Sequence, residues 1–182
     1  GMGNSIILDP YDVYRMTTGM GKSMQELLAA SVELNVVDGV ILPNLKMLGT
    51  KEACAYLDEE GRCSIHPYRP EICRLFPLGR YYENGGFSYF LQTGECAKEN
   101  RSKIKVSKWI DTPDLTRNQQ FTLQWHDLLH AMEERLTGED EGKQQEENLL
   151  LLRLFYLLPY KGTTDFYSQF MERMEYWNEQ IR

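Results

Sequence analysis

An α+β fold in which helices predominate, carrying a small β-hairpin and an irregular cysteine-rich segment, is the architecture this sequence predicts. Three observations point to it. Apolar residues recur at three-and-four spacing through the carboxy-terminal half, aromatic residues flank an Asn84-Gly85 turn, and residues 50–80 mix Cys, Pro, Gly and Arg without any sustained period. The 182 residues are 42% hydrophobic and 12% aromatic, so the expected unit is one domain, 1–182, with a cysteine-containing part over 1–100 and a helical part over 101–182.

Taken in order, Ile6-Ile7-Leu8 is a short apolar segment ahead of Asp9-Pro10. Asp caps a helix and Pro fits its first turn, which predicts a helix through Tyr11, Tyr14 and Arg15 that Gly19 and Gly21 end. Ser23-Met24-Gln25-Glu26 has the capping-box arrangement, predicting a second helix to Leu34 with Leu27, Leu28 and Val32 inward; Val36 to Leu42 reads as a strand. Arg80 to Leu91 reads as a hairpin, because Asn-Gly supplies the positive backbone angles of a tight turn between Tyr81-Tyr82 and Phe87-Ser88-Tyr89-Phe90.

From about Pro113 the pattern is helical. Phe121, Trp125, Leu128, Leu129, Met132 and Leu136 form one face, which Gly138 stops. The polar stretch 138–148 reads as a loop leading into a helix start, Leu149 to Leu158 as a helix apolar enough to be enclosed, and Pro159 as its end. Thr164-Asp165 opens a last helix with Phe166, Phe170, Met174, Trp177 and Ile181 in a stripe. No internal repeat and no low-complexity tract occurs.

Charge and targeting signals narrow the functional classes. The net charge of −7 and the lack of a dominant Lys/Arg cluster argue against a nucleic-acid partner. The longest apolar run, Leu149 to Leu158, is broken by Arg153 and falls short of the roughly 20 residues that span a bilayer, so no membrane partner is expected. Gly1-Met2-Gly3-Asn4-Ser5 lacks a secretory pattern, and the expected location is a reducing cytoplasm. Four cysteines are too few for a disulfide framework in such a chain; free thiols or metal ligands remain.

Cys54, Cys63, Cys73 and Cys96 are separated by eight, nine and twenty-two residues, so no C-x2-C knuckle is present. By spacing alone, buried reduced cysteines acting as small hydrophobes fit as well as ligands do. The surrounding chemistry favours ligands: Lys51, Arg62, Arg69, Arg74 and Arg80, which are either ordinary solvated charges or partners of the thiolates, stand in sequence near sulfurs that become anionic on a metal, and Gly61 and Pro70 can bend the chain so that they converge. A four-thiolate shell suits structural zinc and equally an iron–sulfur cluster. His66, three residues after Cys63, is either a replacement ligand or a turn residue. His126 and His130, four apart on a predicted helix with Glu133 and Glu134 one turn on, are either a second metal pair or half-buried hydrogen-bonding residues. No H-E-x-x-H, phosphate-binding glycine loop or nucleophile elbow is present; Gly19-Met20-Gly21-Lys22-Ser23 lacks the upstream spacing of a Walker motif.

The stretch from Cys54 to Pro77, with its Cys63-Ser64-Ile65-His66, Arg69-Pro70 and Cys73-Arg74-Leu75-Phe76-Pro77 pieces, resembles the core of the YkgJ-like zinc- or iron-chelating domain family. Leu8 to Arg15 resembles that family's upstream aspartate-containing helix, and Cys96 matches its later cysteine, so the likeness runs over roughly residues 6 to 100. The chain departs from the family's amino-terminal C-x2-C-x2-C-C cluster, having no cysteine before Cys54. The resemblance implies a metal-binding protein holding zinc or iron, the iron in one form as an iron–sulfur cluster. Two alternatives stand beside it. Related segments in flagellin lysine-N-methylase-like proteins suggest S-adenosylmethionine-dependent methyl transfer. A metal-free interaction module would instead use the carboxy-terminal helices, with Tyr176 and Trp177, as a surface for a protein partner or a homodimer.

Overall fold

The computed structural model describes residues 6–94 and 102–181. The order of elements is α1 (Pro10–Met20), α2 (Met24–Ala30), β1 (Val32–Val37), β2 (Val40–Leu45), β3 (Met47–Leu48), β4 (Ala53–Cys54), a 3-10 turn (His66–Tyr68), α3 (Glu71–Leu75), β5 (Leu78–Glu83), β6 (Gly86–Leu91), α4 (Val106–Ile110), α5 (Leu115–Leu136), α6 (Glu141–Leu152), a π-helical turn (Arg153–Leu157) and α7 (Phe166–Gln180). The strands form three separate antiparallel pairs, β1-β2, β3-β4 and β5-β6. The fold is therefore α+β with helices predominating, as the sequence predicts.

Helix α1 begins where the sequence places it. The Asp9 carboxylate accepts from the Asp12 N–H at 2.8 Å, the Asp12 carboxylate accepts from the Asp9 N–H at 3.0 Å, and Pro10 takes the first helical position. Gly21, at φ 65°, closes the helix. Gly19 does not end it but serves packing: a Cβ there would lie 2.3 Å from Cε1 of Tyr68, so the ring of the 3-10 turn sits on the bare helix backbone.

Between residues 30 and 45 the structure differs from expectation. Helix α2 stops at Ala30 rather than Leu34, and in place of one strand over Val36–Leu42 a hairpin pairs Val32 with Leu45 through Val37 with Val40. The cause is local. Asp38 and Gly39 adopt φ of 52° and 81°, the double left-handed turn that an Asp-Gly pair accommodates, and it reverses the chain in the middle of the expected strand. The predicted second hairpin is present, with Asn84 and Gly85 at φ 52° and 73°.

Helix α6 starts at Glu141, inside the stretch expected as a loop, because the Asp140 side chain accepts from the Lys143 N–H at 3.0 Å and caps it. Its far end is only partly enclosed: Leu151, Leu152, Leu154, Phe155 and Tyr156 are buried, whereas Leu149 and Leu158 are exposed. Arg173 of α7 donates to the Leu154, Leu158 and Pro159 carbonyls at 2.9, 2.8 and 2.9 Å, meeting acceptors that the π-helical turn leaves open.

The core is a continuous aromatic and aliphatic cluster of α1, α5, the π-helical turn and α7, with Met16, Phe121, Trp125, Met132, Phe155, Phe170 and Trp177 inside it. Two polar ties attach the amino-terminal elements to these helices. Tyr156 Oη donates to the Leu8 carbonyl at 2.8 Å, and Asn148 accepts from the Ile41 N–H at 2.8 Å while donating to the Gly39 and Gln144 carbonyls. Trp177, expected as part of a partner surface, is only 4% exposed and belongs to this core; Tyr176 is exposed. Among the described residues no helix is long and apolar enough to cross a membrane.

Candidate metal centre

Cys54 lies on β4, opposite Met47, and is 8% exposed. Its carbonyl accepts from the Leu57 N–H at 2.9 Å, and Leu57 pairs with Cys63 across an isolated bridge. The loop between them is shaped by Asp58, whose Oδ1 accepts from the Glu60 and Arg62 N–H groups at 3.1 and 2.8 Å, with Gly61 at φ 74°. Ser64 secures the exit by donating its N–H and hydroxyl to the Tyr56 carbonyl. The backbone thus carries Cys54 and Cys63 on one small ordered loop.

Cys73 arrives from the other side, on α3. Two buried carboxylates set this short helix. Asp12 Oδ1 accepts from the Glu71 N–H at 2.8 Å, so one side chain caps α1 and α3 together. Glu71 receives the Arg80 guanidinium at 2.5 and 3.3 Å, tying α3 to β5. At the other end Trp109 Nε1 of α4 donates to the Leu75 and Phe76 carbonyls, at 3.3 and 3.1 Å.

Burial pushes the Cys73 thiol up to about 12, and the negative charge of Asp12 acts in the same direction. At neutral pH and without a cation Cys73 stays protonated, and a bound divalent ion would have to displace that proton. Burial likewise raises the Asp12 carboxyl to about 6, against the opposing charge of Arg74, and holds Asp9 well above the carboxylate range.

The predicted basic surround divides by role. Arg62 is exposed and paired with Asp58 and Glu60 within the loop, Arg80 serves Glu71, Arg69 donates to the His66 carbonyl, and Lys51 is exposed. Arg74, which follows Cys73, is buried and has no ion pair among the described residues. His66 is exposed, with Nδ1 3.1 Å from Arg69 Nη1, and so takes part in the turn. His126 lies flat against Tyr82 with ring centroids 3.7 Å apart, and exposed His130 approaches Glu133 and Glu134.

The thiol donor type suits zinc and iron, but among the described residues no three His, Cys, Asp or Glu side chains are gathered closely enough to hold one ion. Cys96, the fourth expected ligand, lies outside the described residues. The buried carboxylates Asp12 and Glu71, with half-buried Asp9 beside them, escaped the sequence reading as neighbours of the cysteines. The Asp9-x-x-Asp12 spacing signals a helix cap, while its reach to Glu71 depends on a contact 59 residues away.

A family model named CxxCxxCC and described as "Putative zinc- or iron-chelating domain" matches residues 5–100, more than half of the chain. Comparison with curated proteins finds no match, nor does comparison with solved structures.

Proposed function

The chain belongs to the CxxCxxCC zinc- or iron-chelating family, and from that premise we propose that it is a metal-binding protein whose ligands are Cys54, Cys63, Cys73 and Cys96. The observation that supports the reading is the placing of Cys54 and Cys63 on one small ordered loop closed by the Leu57–Cys63 bridge, inside the span of the family match. Four thiolates are the shell that structural zinc prefers, and the same set can hold an iron–sulfur cluster.

In this reading the protein contributes three things. The Asp58 loop and the Leu57–Cys63 bridge fix two ligands, the Asp12–Glu71–Arg80 assembly fixes the helix of the third, and closure around an ion stabilises the segment because coordination energy adds to folding energy. A structural or storage role requires no more than this; electron transfer would require the cluster.

The test is elemental analysis with a visible spectrum on anaerobically purified protein, for the wild type and for Cys73→Ser. Zinc without colour, or iron with sulfide and visible absorption, is expected in the wild type, and a clear loss of metal in the variant. Metal-free wild-type protein that gains no stability from added zinc or iron would overturn the proposal, and unchanged metal in Cys73→Ser would remove Cys73 from the shell.

A further inference from the structure

At the junction of α1, the 3-10 turn, α5 and α7, hydrogen-bonding atoms are buried without partners. Arg74 is 3% exposed; its Nη1 donates to the Arg69 carbonyl at 2.7 Å, while Nε and Nη2 have no partner among the described residues. Arg15 repeats the pattern, with Nη2 donating to the Pro67 carbonyl at 2.7 Å and Nη1 buried and unmet. Both guanidinium carbons lie 5.9 Å from the centroid of the Tyr11 ring, so the pair frames one side chain. Tyr11 stacks on Tyr167 at 5.9 Å, and the Tyr167 hydroxyl stands next to Tyr11 and to fully buried Asn118.

A buried polar atom without a partner costs about 1–3 kcal/mol, more when charged, and folded proteins keep few of them. Here the two charged groups share the Tyr11 ring, and both are cationic. Asp12 and Asp9 lie within range of the Arg74 charge but do not hydrogen-bond its open edge: Asp12 accepts from the Asp9 and Glu71 N–H groups, Asp9 accepts from the Asp12 N–H, and Glu71 holds Arg80. Burial, and next the charge of Arg74, weaken the hold of Arg15 on its proton, against the smaller opposing effects of Tyr11 and Asp12.

The arrangement of the open donors is selective. Nε and Nη2 form the side-on edge of a guanidinium, two parallel N–H groups matched to the two oxygens of a carboxylate or phosphate. In Arg80 the end-on fork is filled by Glu71 in just this way; in Arg74 the side-on fork is open and the group is held in place by the turn carbonyl. We propose that Arg74 and Arg15, bordered by Tyr11, Tyr167 and Asn118, form a binding site for a small oxyanion, a carboxylate or a phosphate. Arg74 directly follows the proposed ligand Cys73, but the anion test reads unfolding temperature and the metal test reads metal content, so the two proposals can fail separately.

The experiment is thermal unfolding of the full chain, in its purified metal state, in inorganic phosphate or acetate against chloride at equal ionic strength. A site of this kind raises Tm by about 3–6 °C at an anion concentration ten times its Kd. Phosphate and acetate report the two oxyanion classes separately, and a rise with either supports the site. Arg74→Lys, which keeps the charge but loses the fork, and Arg15→Gln each raise the half-saturating anion concentration at least tenfold. Because half-buried Arg15 can be replaced with less risk to folding, it keeps the test open if Arg74→Lys fails to fold. Equal Tm in all three salts, or an Arg15→Gln variant with wild-type anion dependence, would overturn the proposal.

Discussion

Arg80→Met is the perturbation that most directly tests how α3 is held. The Arg80 and Glu71 side chains are 10% and 5% exposed, so solvent screens their pairing little. Glu71 takes both guanidinium contacts, at 2.5 and 3.3 Å, and the Arg80 guanidinium also lies 5.0 Å from the Phe87 ring. Burial disfavours the Arg80 charge, yet the carboxylate and its hydrogen bonds outweigh this and hold the arginine above its ordinary value. Removing only the arginine strands a buried carboxylate, for which the cost is about 3–5 kcal/mol. Replacing the pair together, Glu71→Gln with Arg80→Met, removes the charge as well as its partner, and the double variant should recover at least half of that loss. The Asp12 contact to the Glu71 N–H is a backbone contact and survives in both variants. The assay is urea unfolding of wild type, both single variants and the double variant at fixed metal content, with equal m-values as the check that one transition is being compared. A loss below about 1 kcal/mol in Arg80→Met, or a double variant less stable than the single, would refute the view that a desolvated ion pair fastens the Cys73 helix.

Two further outcomes follow from the same network and its neighbour. The folded Asp12 pKa of about 6 lies above its unfolded 3.8, so its stabilising contribution is complete below about pH 4 and is lost as pH rises through 6. Asp12→Asn keeps an acceptor for the Glu71 N–H but does not titrate; the wild type should therefore gain up to about 3 kcal/mol relative to it between pH 7 and pH 4, and a flat difference in unfolding free energy would contradict this. Asn148→Ala strands the Ile41 N–H and frees the Gly39 carbonyl, costing about 2–3 kcal/mol, with faster hydrogen exchange at Ile41. A change under 0.5 kcal/mol would show that the α6 contact to the β1-β2 hairpin is dispensable.

Sequence alone determined whatever depends on near neighbours. The Asp9-Pro10 and Thr164-Asp165 helix starts, the Phe121–Leu136 and Phe166–Trp177 stripes and the Asn84-Gly85 hairpin are set by torsional preference and by apolar period, which act within a few residues. The same locality explains the error at 32–34. Val32 and Leu34 continue the α2 apolar spacing, and only the Asp38-Gly39 reversal and the pairing with 40–45 make them strand. The cysteines were legible as candidates because thiols and their flanking motif are read directly. The long-range partners came from tertiary structure alone. Asp12 capping α3, Tyr68 seated on Gly19, Trp177 turned into the core and the open edge of Arg74 all rest on contacts between distant parts of the chain, or on the lack of one. Burial decides these features, for a charge or a donor acquires its energetic weight only when water has been excluded, and that exclusion belongs to the assembled fold.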